Sequence, residues 1–171
     1  MRVLLFVLLA LPLGCGDSSA GASSSDPAAA PPTVFYLTRH AEKAAGDDPD
    51  LLPEGEERAR RIARRLQSED LAAVYATGYR RTQSTAAPTA QQQGLSVTTY
   101  DVRKKAKTLT DRWLREHRGR AVLVVGHSNT IPDMLNALLG ERRYSDFGEA
   151  NYDRFYRVTV PRQGRPTITQ L

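Results

Sequence analysis

Two apolar runs that each end in a histidine constrain this chain more than any other feature. Val34-Phe35-Tyr36-Leu37 leads into Thr38-Arg39-His40, and Ala121-Val122-Leu123-Val124-Val125 leads into Gly126-His127-Ser128-Asn129. Short continuous apolar runs rich in β-branched and aromatic residues read as strands buried on both faces. Such strands belong to α/β domains in which a parallel sheet lies between helices, and the carboxyl ends of the strands then line one crevice. Both imidazoles are therefore expected in the same crevice, although they are far apart in sequence.

The rest of the pattern agrees. Pro53 opens a helix in which Ala59, Ile62, Ala63 and Leu66 recur at helical spacing, while Glu56, Glu57, Arg58, Arg60, Arg61, Arg64 and Arg65 face mostly outward. Leu71–Ala76 reads as a strand, Arg80–Gln93 as a helix ended by Gly94, Leu95–Tyr100 as a strand and Thr108–His117 as a helix. After the strand at 121–125, a helix is expected over 130–139, stopped by Gly140, and a last strand over Phe155–Val160. Alternating β and α elements without an internal repeat predict one domain over residues 33–171. Its fold class is a three-layer α/β/α sandwich around a mostly parallel central sheet.

The segment before residue 33 is of another kind. Residues 1–14 carry one charge, Arg2, and then an apolar run from Val3 to Leu11, shorter than the roughly 20 residues a spanning helix needs. They read as an export signal. The single cysteine, Cys15, follows Leu13-Gly14, a placement that resembles the lipobox of bacterial lipoproteins, with Pro12 as a departure from it. That resemblance implies lipidation of Cys15 and attachment to a membrane facing the periplasm or cell exterior. Residues 15–32, mostly Ser, Ala, Gly, Pro and Asp, read as a tether that cannot bury enough apolar surface to order itself. One cysteine permits no intramolecular disulfide, so the fold must rest on its core.

The chain has 24 Lys and Arg against 19 Asp and Glu, a net charge of +5. This moderate excess lies largely on the polar face of one helix, which reads as a solvated face and not as a nucleic-acid footprint. No nucleic-acid partner is expected. Three histidines without compact ligand spacing argue equally against a metal site. Gly126-His127-Ser128-Asn129-Thr130 lacks the final glycine of a nucleophile elbow, and no histidine follows it to serve as base, which disfavours a serine esterase.

Four segments, in order, resemble the histidine phosphatase superfamily, which has the phosphoglycerate-mutase-like fold. They are Arg39-His40 with its Ala41-Glu42-Lys43 continuation, Leu52-Pro53-Glu54-Gly55, Tyr75 through Ala86, and Gly126-His127-Ser128. The resemblance spans residues 33–160. It implies hydrolysis of a phosphomonoester or phosphorylated protein through a phosphohistidine, with no cofactor or metal. A mutase would need enclosing loops that this short chain lacks.

The chemistry fits these residue types. A neutral imidazole is nucleophilic near neutral pH and avoids repulsion by a phosphate dianion, so His40 is the expected nucleophile. Its second ring nitrogen then needs a fixed partner, such as a nearby backbone carbonyl. Charge on the transferring group calls for positioned cations, and Arg39 and Arg81 are the candidates, the latter chosen by the resemblance because it stands four residues before Thr85. Arg80 reads as a solvated helix-start arginine. His127 would donate to the phosphoryl group beside a helix N-terminus. Ser128 and Asn129 would either touch phosphate or cap that helix, and Lys43 would either attract anionic substrates or lie solvated. The resemblance places the general acid after the Arg81 helix, at Asp101, with Glu42 and Asp47 as alternatives. His117, between Glu116 and Arg118, reads as solvated. A non-catalytic module that binds phosphorylated ligands is the alternative reading.

Overall fold

Period-2 alternation in the two histidine-bearing strands decides the layering. The computed structural model describes residues 30–171, so the expected signal segment, Cys15 and most of the tether lie outside the described residues. In strand β1 (Thr33–Arg39), Phe35 and Leu37 enter one apolar cluster while Val34 and Tyr36 enter another. Strand β4 (Ala121–Gly126) divides likewise, with Val122 and Val124 against Ala121, Leu123 and Val125. Successive side chains point to opposite faces, so both strands are buried on both sides.

Helices α1 (Pro53–Arg65) and α2 (Arg80–Gln92) cover one face, supplying Ile62, Ala86 and Ala90 to its cluster. Helices α3 (Ala106–Glu116) and α4 (Thr130–Leu139) cover the other with Leu109, Trp113, Ile131, Met134 and Leu135. The remaining strands are β2 (Leu71–Ala76), β3 (Val97–Thr99), β5 (Phe155–Val160) and β6 (Thr167–Gln170). One six-stranded sheet has the order β3-β2-β4-β1-β5-β6. The pairs β3/β2, β2/β4 and β4/β1 are parallel, whereas β5 runs antiparallel to β1 and β6 antiparallel to β5. The expected three-layer sandwich with a mostly parallel sheet is the observed one.

The differences lie at edges. Strand β3 is three residues long, shorter than the 95–100 expectation, because it pairs on one side only and its exposed side chains give it little to bury. Strand β6 was not expected from the sequence. It forms a hairpin with β5 at the sheet edge, and its alternating Thr167-Ile168-Thr169-Gln170 is too short to stand out. Among the described residues no helix is long and apolar enough to cross a membrane.

Candidate active site

Parallel pairing brings the two histidines to the same level. Arg39 pairs with Gly126 in the β1/β4 register, and His40 N donates to Gly126 O at 2.9 Å. Each imidazole is thus the first side chain past a paired strand end, and the rings meet edge-on with centroids 5.6 Å apart.

His40 is buried, with 3% of its surface exposed. Its Nδ1 lies 2.8 Å from Ala41 O. A carbonyl only accepts, so Nδ1 carries the proton and Nε2 keeps the lone pair. Desolvation pushes the His40 pKa down to about 3, helped by the positive charges of Arg39 and Arg81 and by His127, against the opposing Ala41 hydrogen bond. Burial, then Arg81 and Arg39, lower that of His127 to about 4. Both rings are neutral at pH 7. The site therefore presents an uncharged, tautomer-fixed imidazole with a free lone pair beside two guanidinium groups.

Threonines hold this geometry. Thr85 Oγ1 accepts from Ala41 N at 3.0 Å and donates to Arg81 O at 2.7 Å, tying the residue after His40 to the first turn of α2. Thr77 Oγ1 lies 2.9 Å from His127 Nε2 and 2.7 Å from Thr82 Oγ1. Thr130 Oγ1 accepts from His127 N at 2.9 Å. Tyr79 sets its ring edge-on to His127 at 5.2 Å and lies under the Arg81 guanidinium at 4.3 Å. The roles of Thr77, Thr82 and Thr130 were not anticipated, although Thr77 and Thr82 fall inside the 75–86 motif.

Arg81 is nearly buried and holds its Nη1 3.4 Å from Asp47 O and 3.5 Å from Asp48 Oδ1. Arg39 is buried as well. Its Nη1 donates to the carbonyls of Gly148 and Glu149 at 3.0 and 2.8 Å, its Nη2 lies 3.4 Å from Glu149 Oε2, and Tyr152 stacks on it at 4.4 Å. The expected phosphate fork of Arg39 is thus turned largely to the 148–151 loop. Among the described residues the Nε atoms of both arginines are buried without a partner. Tyr152 also faces the His40 ring, 6.0 Å between centroids. Tyr152, Glu149 and Asp48 were missed because their segments show no periodicity.

Other expected residues fall elsewhere. Asp101 is engaged at the surface, where its carboxylate forms a fork with Arg103 Nε and Nη2 at 3.0 and 2.9 Å. That hydrogen bonding holds its pKa at about 2, the reverse of what a general acid needs. Glu42 is likewise committed, accepting from Arg58 Nε at 2.9 Å, and is held ionised by Arg58 although burial opposes this. Lys43 Nζ reaches only Ala44 O, at 3.4 Å. Asn129 makes no side-chain cap on α4, and Ser128 contributes its carbonyl, accepting from Phe147 N at 2.8 Å. Arg80 is exposed and paired with Asp50 at 2.6 Å. His117, expected in solvent, is half-buried instead, its Nε2 2.7 Å from the hydroxyl of Tyr75, which stacks on Trp113.

Residues 35–101 match the family model described as the histidine phosphatase superfamily (branch 1). No curated protein sequence matches the chain. Among solved structures, the protein histidine phosphatase SixA complexed with tungstate is similar at TM-score 0.64 and 17% identity, covering 80% of this chain and 94% of the other. A phosphoserine phosphatase from Entamoeba histolytica in complex with phosphoserine is similar at TM-score 0.62 and 18% identity, over 80% and 95%. A mycobacterial glucosyl-3-phosphoglycerate phosphatase is similar at TM-score 0.63 and 14% identity, over 80% and 97%. At these identities the likeness is one of fold.

Proposed function

From the match of residues 35–101 to the histidine phosphatase superfamily and the shared fold, we propose that the chain is a cofactor-independent phosphatase of that superfamily acting through a phosphohistidine on His40. The observation that carries this reading is the state of His40: buried, neutral, with Nδ1 bound to Ala41 O. A site built only to hold an anion gains nothing from a lone pair aimed at it. Cations would serve such a site better.

In the first step His40 Nε2 bonds to phosphorus as the ester P–O bond breaks, its electron pair leaving with the departing oxygen. In the second, water attacks the phosphohistidine and the P–N pair returns to Nε2. Arg39 and Arg81 would stabilise charge on the transferring group, each with a buried Nε unpartnered among the described residues. The N-terminus of α4 adds its dipole.

The similar structures act, by their names, on a phosphorylated protein histidine, on phosphoserine and on a phosphorylated sugar acid. Their leaving groups differ, so the substrate is proposed only as a phosphorylated small molecule or phosphoprotein. We further propose export by residues 1–14 and attachment through lipidated Cys15 and the tether to residue 32. The apolar run and the Leu13-Gly14-Cys15 order support this. Mass spectrometry of the membrane fraction for acylated Cys15 tests it; an unmodified cysteine there would refute it.

Phosphate release from an aryl phosphate by the full chain, with chelator present and beside a folded His40→Ala variant, tests the phosphatase reading. Turnover that disappears in the variant is the expected result. The pairing of Asp101 with Arg103 favours one rival, a phospholigand-binding module, and stoichiometric binding of phosphorylated ligands without turnover would select it.

A further inference from the structure

The hydroxyl chain beside His127 has one consistent arrangement of its protons. Thr82 Oγ1 lies 2.7 Å from Tyr79 O, 3.0 Å from Thr77 O and 2.7 Å from Thr77 Oγ1. A carbonyl only accepts, and a hydroxyl has one proton to give. Were the Thr82 proton turned toward Thr77 Oγ1, its lone pairs would face those of Tyr79 O at 2.7 Å, a separation normal only with a proton between. The Thr82 proton therefore points to a carbonyl, and the Thr77 proton points to Thr82. Thr77 Oγ1 then has only lone pairs to offer His127 Nε2, 2.9 Å away. Both threonines are fully buried, so water does not compete for these contacts. His127 Nε2 thus carries a proton, and in the neutral ring Nδ1 carries the lone pair.

That lone pair repels a fully ionised phosphoryl oxygen and accepts from a protonated one. We propose that His127 is the proton carrier of the reaction: Nδ1 takes the proton of a monoprotonated phosphate ester on binding and returns it to the leaving-group oxygen, with Thr77 and Thr82 as positioning residues. The inference rests on the phosphatase reading of this site and supplies a proton donor where Asp101 is paired with Arg103.

The step balances. His40 Nε2 bonds to phosphorus, the ester P–O pair goes to the leaving oxygen, that oxygen takes the Nδ1 proton, and His127 is left neutral. Water then bonds to phosphorus and gives one proton to Nδ1, the P–N pair returns to His40, and phosphate leaves with that proton. Groups facing His127 suit this cycle: Arg39 from β1 and Arg81 from α2, with His40 and Tyr79 edge-on and Thr130 from α4 at its backbone. Asp48 and Glu149 lie against the two arginines. In the free site burial, reinforced by the cations, keeps the ring neutral, so the proton arrives with the substrate.

Three measurements on the full chain test the proposal. Nitrogen-15 NMR of the imidazoles at pH 7 should show protonated Nδ1 in His40 and protonated Nε2 in His127, whether or not the chain turns anything over. A protonated Nδ1 in His127 would overturn the inference and leave the phosphatase reading untouched. Thr77→Val should lower kcat/KM about 10- to 100-fold more for phenyl phosphate than for 2,4-dinitrophenyl phosphate, whose leaving group needs no acid, and Thr77→Ser should restore it. Equal losses on both esters would overturn it. In the wild type, kcat/KM should fall about tenfold per pH unit above the second ionisation of the ester, about pH 6; a flat profile to about pH 8 would overturn it. If Thr77→Val does not fold, the NMR and the pH profile decide. Correct tautomers with no turnover of either ester would sink the phosphatase reading, and the proton cycle with it.

Discussion

The backbone of Gly55 passes so close to the carbonyl of Glu42 that a methyl group on Gly55 would overlap that oxygen. Leu52 N donates to the same oxygen at 3.0 Å, and Arg58 of α1 grips the Glu42 carboxylate. The start of α1 is thereby fastened to the residue two places after His40. A Gly55→Ala variant should lose about 1–3 kcal/mol of stability, because the only relief is to move one backbone away from the other. Urea unfolding measures it, and a variant as stable as the wild type would mean the two segments separate freely.

Arg80 and Arg81 are neighbours in sequence with opposite surroundings, the first exposed on Asp50 and the second nearly buried over Tyr79. Arg81→Lys should lower kcat/KM on an aryl phosphate by about 100-fold or more, since an ammonium cannot replace a forked donor. Arg80→Ala should leave it within about threefold. Similar losses in both would contradict the assignment of Arg81 to the phosphoryl group.

Asp101→Asn should leave kcat/KM and its pH profile unchanged, because the carboxylate is paired with Arg103 at the surface. A selective loss on esters with poor leaving groups would identify Asp101 as the acid.

Stability should fall with acid between about pH 6.5 and pH 4. His40 and His127 have folded-state pKa values near 3 and 4, below the ordinary 6.5, so within that window the unfolded chain binds more protons than the folded one. Each ring then contributes stability that grows with pH by up to about 1.4 kcal/mol per unit. Urea midpoints across this range should flatten in a His40→Asn, His127→Asn double variant. Parallel curves for both proteins would refute the buried, neutral assignment.

What could be read from sequence was what periodicity or strand position governs. His40 and His127 stood out because each ends a run buried on both faces, and parallel pairing of such runs leaves few other places for them. Arg81 followed from the family resemblance, which singles out the arginine four residues before Thr85. The fork between Asp101 and Arg103 was not legible, because chain position says nothing about which partner a carboxylate takes. The setting of His117 was hidden similarly: its charged neighbours suggested solvent, while the hydroxyl of Tyr75, distant in sequence, meets its ring. The carbonyls on Arg39 and the ring of Tyr152 come from an irregular loop, where no pattern announces which backbone atoms will turn inward. The tautomer of His127 depends on proton positions across three side chains, which only their distances reveal.

Strand β1 comes first among the six strands, yet it lies inside the sheet between β4 and β5. A growing chain therefore makes His40 early and cannot complete the sheet around it until residues beyond 155 have emerged. Both hydrogen-bonding edges of β1 are empty until β4 has emerged, and the edge that β5 covers stays open until residues beyond 155 follow, a state prone to association with other chains. Closing this sheet needs contacts between distant parts of the chain, which predicts slow, late-committing folding and a need for chaperoning during synthesis.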